Sequence, residues 1–252
     1  MWWLKLREGT MILVSVVFWS VIVLTCPVFF AGAMLVWLVT APFDRRRAVL
    51  HLYTCAWAVC YVRLNPLWRL RTSGRELLPW RGGAVLAANH ASTFDIIVLF
   101  DLFRPFKWVS KAEMFRIPFI GWNMRLNGYV SLVRGDRASV RRVMARCDEL
   151  LDAGSPVMFF PEGRRTEDGT LQPFKDGAFD LAIRHQVPLY PIAVHGTRKA
   201  LPKHGFILRH NVDVRVEVLS PLSPTDFADV ASLREETRRR IAAALTENGN
   251  AS

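Results

Sequence analysis

A histidine and an aspartate five positions apart, His90 and Asp95, lie in the stretch AVLAANHASTFD at residues 84–95. Histidine titrates near neutrality, and a carboxylate partner fixes its tautomer and favours the imidazolium formed when the ring takes a proton. Such a pair is a general base, and a hydroxyl held against His90 would become a nucleophile. On a continuous helix five residues turn about 500°, leaving the two side chains about 140° apart, off any shared face. Cooperation therefore requires His90 at a strand end or in a turn, with Asp95 folded back from the first turn of a following helix. An isolated pair at this spacing is ordinarily a strand-end histidine bonded to the nearest carboxylate, so the rest of the chain decides.

The local sequence supplies the required elements. Residues 84–88 read as a buried strand, Ser92 and Thr93 as N-cap residues, and residues 95–103 as the start of a helix. A strand-to-helix turn at the carboxyl edge of a sheet is a common ligand site in α/β proteins. A second dense stretch, VMFFPEGRRT at residues 157–166, again runs from a strand into a loop. Its glycine offers exposed backbone amides, and Arg164 and Arg165 offer guanidinium forks, the equipment for holding a phosphate. Glu162 can orient an arginine or bond a substrate hydroxyl. Alone, an arginine-rich loop is more often an ordinary surface turn.

The remaining elements alternate in the same way. Residues 106–110 read as a strand, residues 111–121 as a loop punctuated by Pro118 and Gly121, and residues 128–134 as a strand ending in Arg134. The helix that follows has Asp136 as N-cap, apolar Val140, Val143, Met144, Cys147, Leu150 and Leu151, and Gly154 as its stop. Arg137, Arg141, Arg142 and Arg146 occupy its opposite face, which is solvated or meets anionic headgroups. Residues 174–178 open a helix reaching His185, residues 187–194 form another strand, and residues 211–219 alternate like a strand near a sheet edge. An amphipathic helix with Leu233, Ile241 and Leu245 closes the chain before a polar tail expected to be disordered. The predicted class is α/β, a mixed sheet flanked by helices.

Ahead of the His90 strand, residues 9–43 carry no charged side chain. One helix of that length would be about 50 Å long, against a hydrocarbon core of about 30 Å. Pro27 divides the run, which predicts a two-helix membrane anchor dipping into one leaflet as a hairpin; a tilted, kinked single span is the alternative. Lys5 and Arg7 precede the run and Arg45, Arg46 and Arg47 follow it, placing both ends on the cytoplasmic face of the membrane. Residues 48–61 form an apolar helix, with Trp57 and Tyr61 suited to the interface. Residues 1–65 are thus an anchor with an interfacial helix, and residues 66–252 a catalytic domain.

Composition agrees with a membrane surface. A net charge of +11 implies an anionic partner, and 51% hydrophobic content with nine tryptophans and sixteen phenylalanines favours a bilayer over nucleic acid. No nucleic-acid-binding motif is present. Cys26, Cys55, Cys60 and Cys147 have neither metal-ligand spacing nor a disulfide framework, and they read as reduced thiols.

Four stations together resemble the 1-acylglycerol-3-phosphate acyltransferase family: Asn89-His90 with Asp95; Lys111-x-Glu113 with Pro118, Gly121, Gly128 and Arg134; residues 160–166 (FPEGRRT); and residues 187–191 (VPLYP). The match spans about residues 70 to 200. The resemblance implies that His90 deprotonates the acceptor hydroxyl, that Asp95 orients it, and that acyl-CoA or acyl carrier protein is the donor, with no other cofactor and no metal. It implies acceptor-binding roles for Glu162, Gly163 and Arg165, with Arg164 beside the phosphate and Lys111 and Arg134 contacting phosphate or donor. The acceptor would be a lysophospholipid, 1-acyl-sn-glycerol 3-phosphate, and the product phosphatidic acid. The family usually has threonine where this chain has Arg164, and serine where it has Thr166; the first change adds a charge and the second keeps a hydroxyl.

Three other readings remain: the same chemistry on glycerol 3-phosphate or a lyso-ornithine lipid, a membrane-tethered esterase using Ser92, and a noncatalytic lipid-binding module.

Overall fold

The computed structural model describes residues 2–166, 169–201 and 206–247. Two helices come first, α1 (Trp2–Thr40) and α2 (Ala48–Arg63), and β1 (Trp68–Ser73) follows. Next are β2 (Val85–Ala88), α3 (Phe94–Leu99), β3 (Lys107–Lys111), α4 (Ile120–Leu126) and β4 (Val130–Leu132). Then come α5 (Arg137–Asp152), β5 (Val157–Phe159), α6 (Gly177–His185), β6 (Leu189–His195), α7 (Thr197–Ala200), β7 (Val212–Val218) and α8 (Val230–Glu247). The polar tail expected to be disordered lies outside the described residues.

The strands make one mixed sheet in the order β1-β7-β6-β2-β5-β3-β4, so the α/β class predicted from the sequence is the fold observed. Every neighbouring pair is parallel except β6 and β7. Central β2 is buried along its whole length. Leu86 and Ala88 face a core shared with Val59 of α2 and Val98 of α3, whereas Val85 and Ala87 face Cys147 of α5, Phe179 of α6 and Ile241 of α8. A strand covered on both faces has no polar side to alternate, hence the continuous apolar run.

Two elements, β1 and α4, are not among those predicted from the sequence. Residues 68–73 form β1, an edge strand beside β7 in which only Trp68 is fully buried; its solvated arginines hide the strand pattern. The loop predicted at residues 111–121 ends in helix instead, with α4 beginning inside it at Ile120. A Cβ on Gly121 would lie 2.4 Å from the Phe115 carbonyl oxygen, so this glycine serves close packing of α4 on the preceding turn rather than a loop.

The N-terminal region also departs from expectation. Pro27 does not divide the apolar run; α1 continues through it to Thr40. Proline forfeits one backbone bond and crowds the preceding turn, and lateral packing against α2 offsets that loss. Phe29 stacks on Trp57 at 5.6 Å, the Thr25 and Tyr61 hydroxyls share a hydrogen bond of 2.7 Å, and Tyr53 donates to the Phe29 carbonyl at 3.0 Å. Trp57 and Tyr61, expected at the membrane interface, therefore face α1.

The chain reverses in residues 41–47 instead. Asp44 caps α2 by accepting from the Ala48 and Val49 amides. Arg46 donates to the Gly154 carbonyl just beyond α5, and Arg47 to the Arg125 and Leu126 carbonyls at the end of α4. Leu126 lies in the last turn of α4, where carbonyls lack intrahelical partners, and the two arginines clamp the helical pair to the sheet. The outer face of α1 exposes Leu13, Val23, Leu24, Val28, Leu35 and Leu38. Residues Gly9–Thr40 are long and apolar enough to cross a membrane.

Candidate active site

His90 lies two residues past the carboxyl end of β2, and Asp95 is the second residue of α3. The turn between them folds the aspartate back, as the spacing requires. His90 Nδ1 and Asp95 Oδ2 are 2.9 Å apart. The Ala91 and Ser92 amides donate to the same oxygen at 2.7 and 2.8 Å, and the Thr197 hydroxyl donates to Oδ1. Asp95 is fully buried, and four donors satisfy its carboxylate. As acceptor it places the proton on Nδ1, which leaves Nε2 with the lone pair a general base needs. The His90 ring stacks on Phe160, centroids 4.0 Å apart and planes 13° apart, and Phe160 in turn stacks on Trp108. The ring is thus held in direction and in plane.

The strand end carrying His90 is also pinned. The Asn89 amide donates to the Val194 carbonyl at 3.0 Å and accepts from the Val194 N–H at 2.8 Å, joining β2 to β6 beyond their ladder. Ser92, the candidate esterase nucleophile, is fully buried; its hydroxyl donates to the Leu201 carbonyl and accepts from the Phe94 N–H. That is capping and cross-linking, with no route to a substrate.

Residues 160–166 approach from β5, the next strand. Buried Glu162 accepts from the His90 N–H at 2.6 Å and from the Gln172 N–H at 3.0 Å. Burial pushes its carboxyl up to about 7, against the lowering pull of the two amides. Gly163 has φ +71°, and a Cβ there would meet the Lys175 ammonium at 2.9 Å. Arg165 donates to the Thr93 hydroxyl at 2.8 Å, and the Thr166 N–H donates to the His90 carbonyl at 3.2 Å. The arginine loop and the histidine turn are therefore laced into one surface at the carboxyl edge of the sheet.

The other predicted residues sit around that surface. Arg164 is exposed on the loop, Lys111 is exposed at the end of β3, and Arg134 is exposed two residues past β4. Strand spacing puts β3 about 10 Å and β4 about 15 Å from β2, so these two cations stand along the rim rather than against the dyad. Lys107, whose amine burial pushes down to about 7, bonds the Asn127 carbonyl at the opposite end of β3, away from the site. Among the described residues no group of three or more His, Cys, Asp or Glu side chains is placed to hold a metal ion.

Three contributors escaped the sequence reading as functional residues: Thr197, Phe160 and Lys175. A glycine and threonine directly after an apolar strand, Gly196-Thr197, mark a helix start and are the local signal for the first. Phe160 adjoins the EGRR stretch, whereas nothing in the sequence places Lys175 over Gly163.

A strand-end histidine, its buried carboxylate and an adjoining cationic loop are the equipment that base-assisted group transfer onto a hydroxyl would need. Residues 69–195 match the family model described as Acyltransferase, and the chain belongs to that family. Within it, the chain is 38% identical over 229 residues to the 1-acyl-sn-glycerol-3-phosphate acyltransferase CHLREDRAFT_174358 of Chlamydomonas reinhardtii, covering 90% of this chain and 67% of that protein. It is 38% identical over 205 residues to the chloroplastic 1-acyl-sn-glycerol-3-phosphate acyltransferase BAT2 of Brassica napus, 81% of this chain and 58% of the relative. Against the enzyme of the same description from Pseudomonas aeruginosa it is 30% identical over 166 residues, 66% of this chain and 64% of the relative. The chain thus spans about three fifths to two thirds of the length of these relatives. Its fold is similar to the crystal structure of the 1-acyl-sn-glycerophosphate acyltransferase PlsC from Thermotoga maritima, with TM-score 0.79, 22% identity, and coverage of 96% of this chain and 98% of the other.

Proposed function

We propose that the protein transfers an acyl group from an acyl thioester to the sn-2 hydroxyl of 1-acyl-sn-glycerol 3-phosphate, making phosphatidic acid for phospholipid biosynthesis. The observation that carries this reading is the buried His90–Asp95 pair laced to the Glu162–Arg165 loop. In the proposed reaction Nε2 of His90 takes the proton of the acceptor hydroxyl as the oxygen attacks the thioester carbonyl. Asp95, fixed by its other donors, supports the imidazolium so formed. The tetrahedral intermediate collapses by breaking the C–S bond, and the departing thiolate takes the proton back from His90. The ester forms, the thiol leaves, and base and charge are restored.

Arg164, Arg165 and the exposed Lys175 would hold the acceptor phosphate and thereby orient the hydroxyl towards His90. Lys111 and Arg134, farther along the rim, suit the anionic donor, coenzyme A or acyl carrier protein. The buried, hydrogen-bonded Ser92 hydroxyl disfavours the esterase reading. An acceptor in a bilayer and a soluble donor meet at the membrane surface, and α1, apolar and outward-facing, would hold residues 66–252 there, on the cytoplasmic face.

Competition between acceptors tests this function. With a labelled acyl thioester, lysophosphatidic acid should be acylated in preference to glycerol 3-phosphate and lyso-ornithine lipid. Preference for either rival would reassign the acceptor.

A further inference from the structure

Two adjacent apolar side chains stand on the surface in the connection from α7 to β7, Phe206 at 79% exposure and Ile207 at 49%. Leu208, the next residue, is fully buried. The tip is tied down rather than loose. Trp19 of α1 donates its indole N–H to the Phe206 carbonyl at 2.8 Å, and the Leu208 N–H donates to the Ser15 hydroxyl at 2.8 Å. Ser15 in turn donates to the Met11 carbonyl. Ser15 and Trp19 lie four positions apart, on one face of the helix. These polar groups have partners within the protein, as a nonaqueous environment demands.

The flanking surface of α1 is apolar as well: Ile12, Leu13, Val16 and Val17 are between 49% and 64% exposed, within a run free of charge from residue 9 to residue 43. Phe206 and Ile207 extend that surface, and an extended apolar surface marks an interaction site. We infer that the Phe206–Ile207 tip enters the same lipid leaflet as α1, as a second membrane contact on the catalytic side of the molecule. Its occupant is the bilayer acyl region, because the helix to which the tip is bonded carries no charge from residue 9 to residue 43 and exposes an apolar face along that run. The inference rests on the proposed anchoring of α1.

The connection bearing the tip is joined to the dyad through its described residues, the Arg209 N–H donating to the Ala200 carbonyl at 3.1 Å. Thr197, at its start, bonds Asp95, and the Leu201 carbonyl accepts from Ser92. Insertion of the tip would therefore register the dyad against the leaflet surface that carries the lipid acceptor.

The test uses the full chain with Cys60→Ala, since Cys26, Cys55 and Cys147 are buried. An environment-sensitive fluorophore is attached at Phe206→Cys, at Leu24→Cys on α1, or at Glu235→Cys on α8, and the protein is added to phosphatidylcholine–phosphatidylglycerol vesicles. Blue-shifted emission and quenching by nitroxide lipids at positions 206 and 24, with neither at 235, are expected. A response at 24 alone would overturn the proposal and leave the anchor standing; a response at neither would remove the anchor and the proposal together. In the unlabelled enzyme, Phe206→Ser should raise the KM for vesicle-borne acceptor about tenfold, the scale of burying one phenyl ring, and leave kcat on detergent-dispersed acceptor unchanged. Equal KM values in vesicles would also overturn the proposal.

Discussion

Thr197 and Asp95, 102 positions apart, are joined by a hydrogen bond from the threonine hydroxyl to Oδ1, which leaves Oδ2 to His90. The turn after β6 thereby sets the direction of a carboxylate on α3. A bond to a charged acceptor is worth about 1.5–3 kcal/mol, so Thr197→Val should lower kcat about 10- to 100-fold. The acceptor KM should change little, and Thr197→Ser should restore most of the rate. If Val and Ser variants lose activity equally, the hydroxyl has no positioning role.

Gly163 combines a left-handed backbone with the Lys175 ammonium lying over its Cα. Gly163→Ala adds backbone strain of about 1–2 kcal/mol and displaces that cation. A rise of about tenfold in acceptor KM is expected, larger than the change in donor KM. A change in donor KM alone would detach this loop from acceptor binding.

Glu162 has its folded pKa raised to about 7 from 4.5 by burial. Between those values the folded state holds more protons than the unfolded state, so this group's contribution to stability falls as pH rises through the window. Glu162→Gln does not titrate. The melting temperature of wild type relative to Glu162→Gln should therefore fall from pH 5 to pH 8, measured by differential scanning fluorimetry in detergent. A difference that is flat or rises with pH contradicts the burial effect.

Arg47 spans the turn after α1 and the end of α4. Arg47→Ala should reduce stability by about 1.5–3 kcal/mol, read as a lower melting temperature, while vesicle binding persists because α1 is untouched. Loss of vesicle binding with stability unchanged would contradict the clamp.

The dyad was legible in the sequence because helix geometry leaves His90 and Asp95 only one way to meet, across a strand-to-helix turn. Glu162 and Arg165 were legible as residues but not as lacing, since their bonds to the His90 N–H and the Thr93 hydroxyl cross from β5 to the β2 turn. Gly196-Thr197 marked a helix start, but the bond from Thr197 to Asp95 was hidden for the same reason at longer range. Pro27 misled because a proline's local cost says nothing of the Phe29–Trp57 packing that offsets it. β1 was missed because an edge strand with solvated arginines lacks the apolar run that revealed β2.

The central claim, that His90 is the base for acyl transfer onto a lysophospholipid, is tested most directly by comparing phosphatidic acid formation from lysophosphatidic acid by wild type and His90→Ala. General-base catalysis predicts a loss of about a hundredfold or more, with folding and vesicle binding retained. Transfer by a folded His90→Ala at a rate near wild type would contradict it.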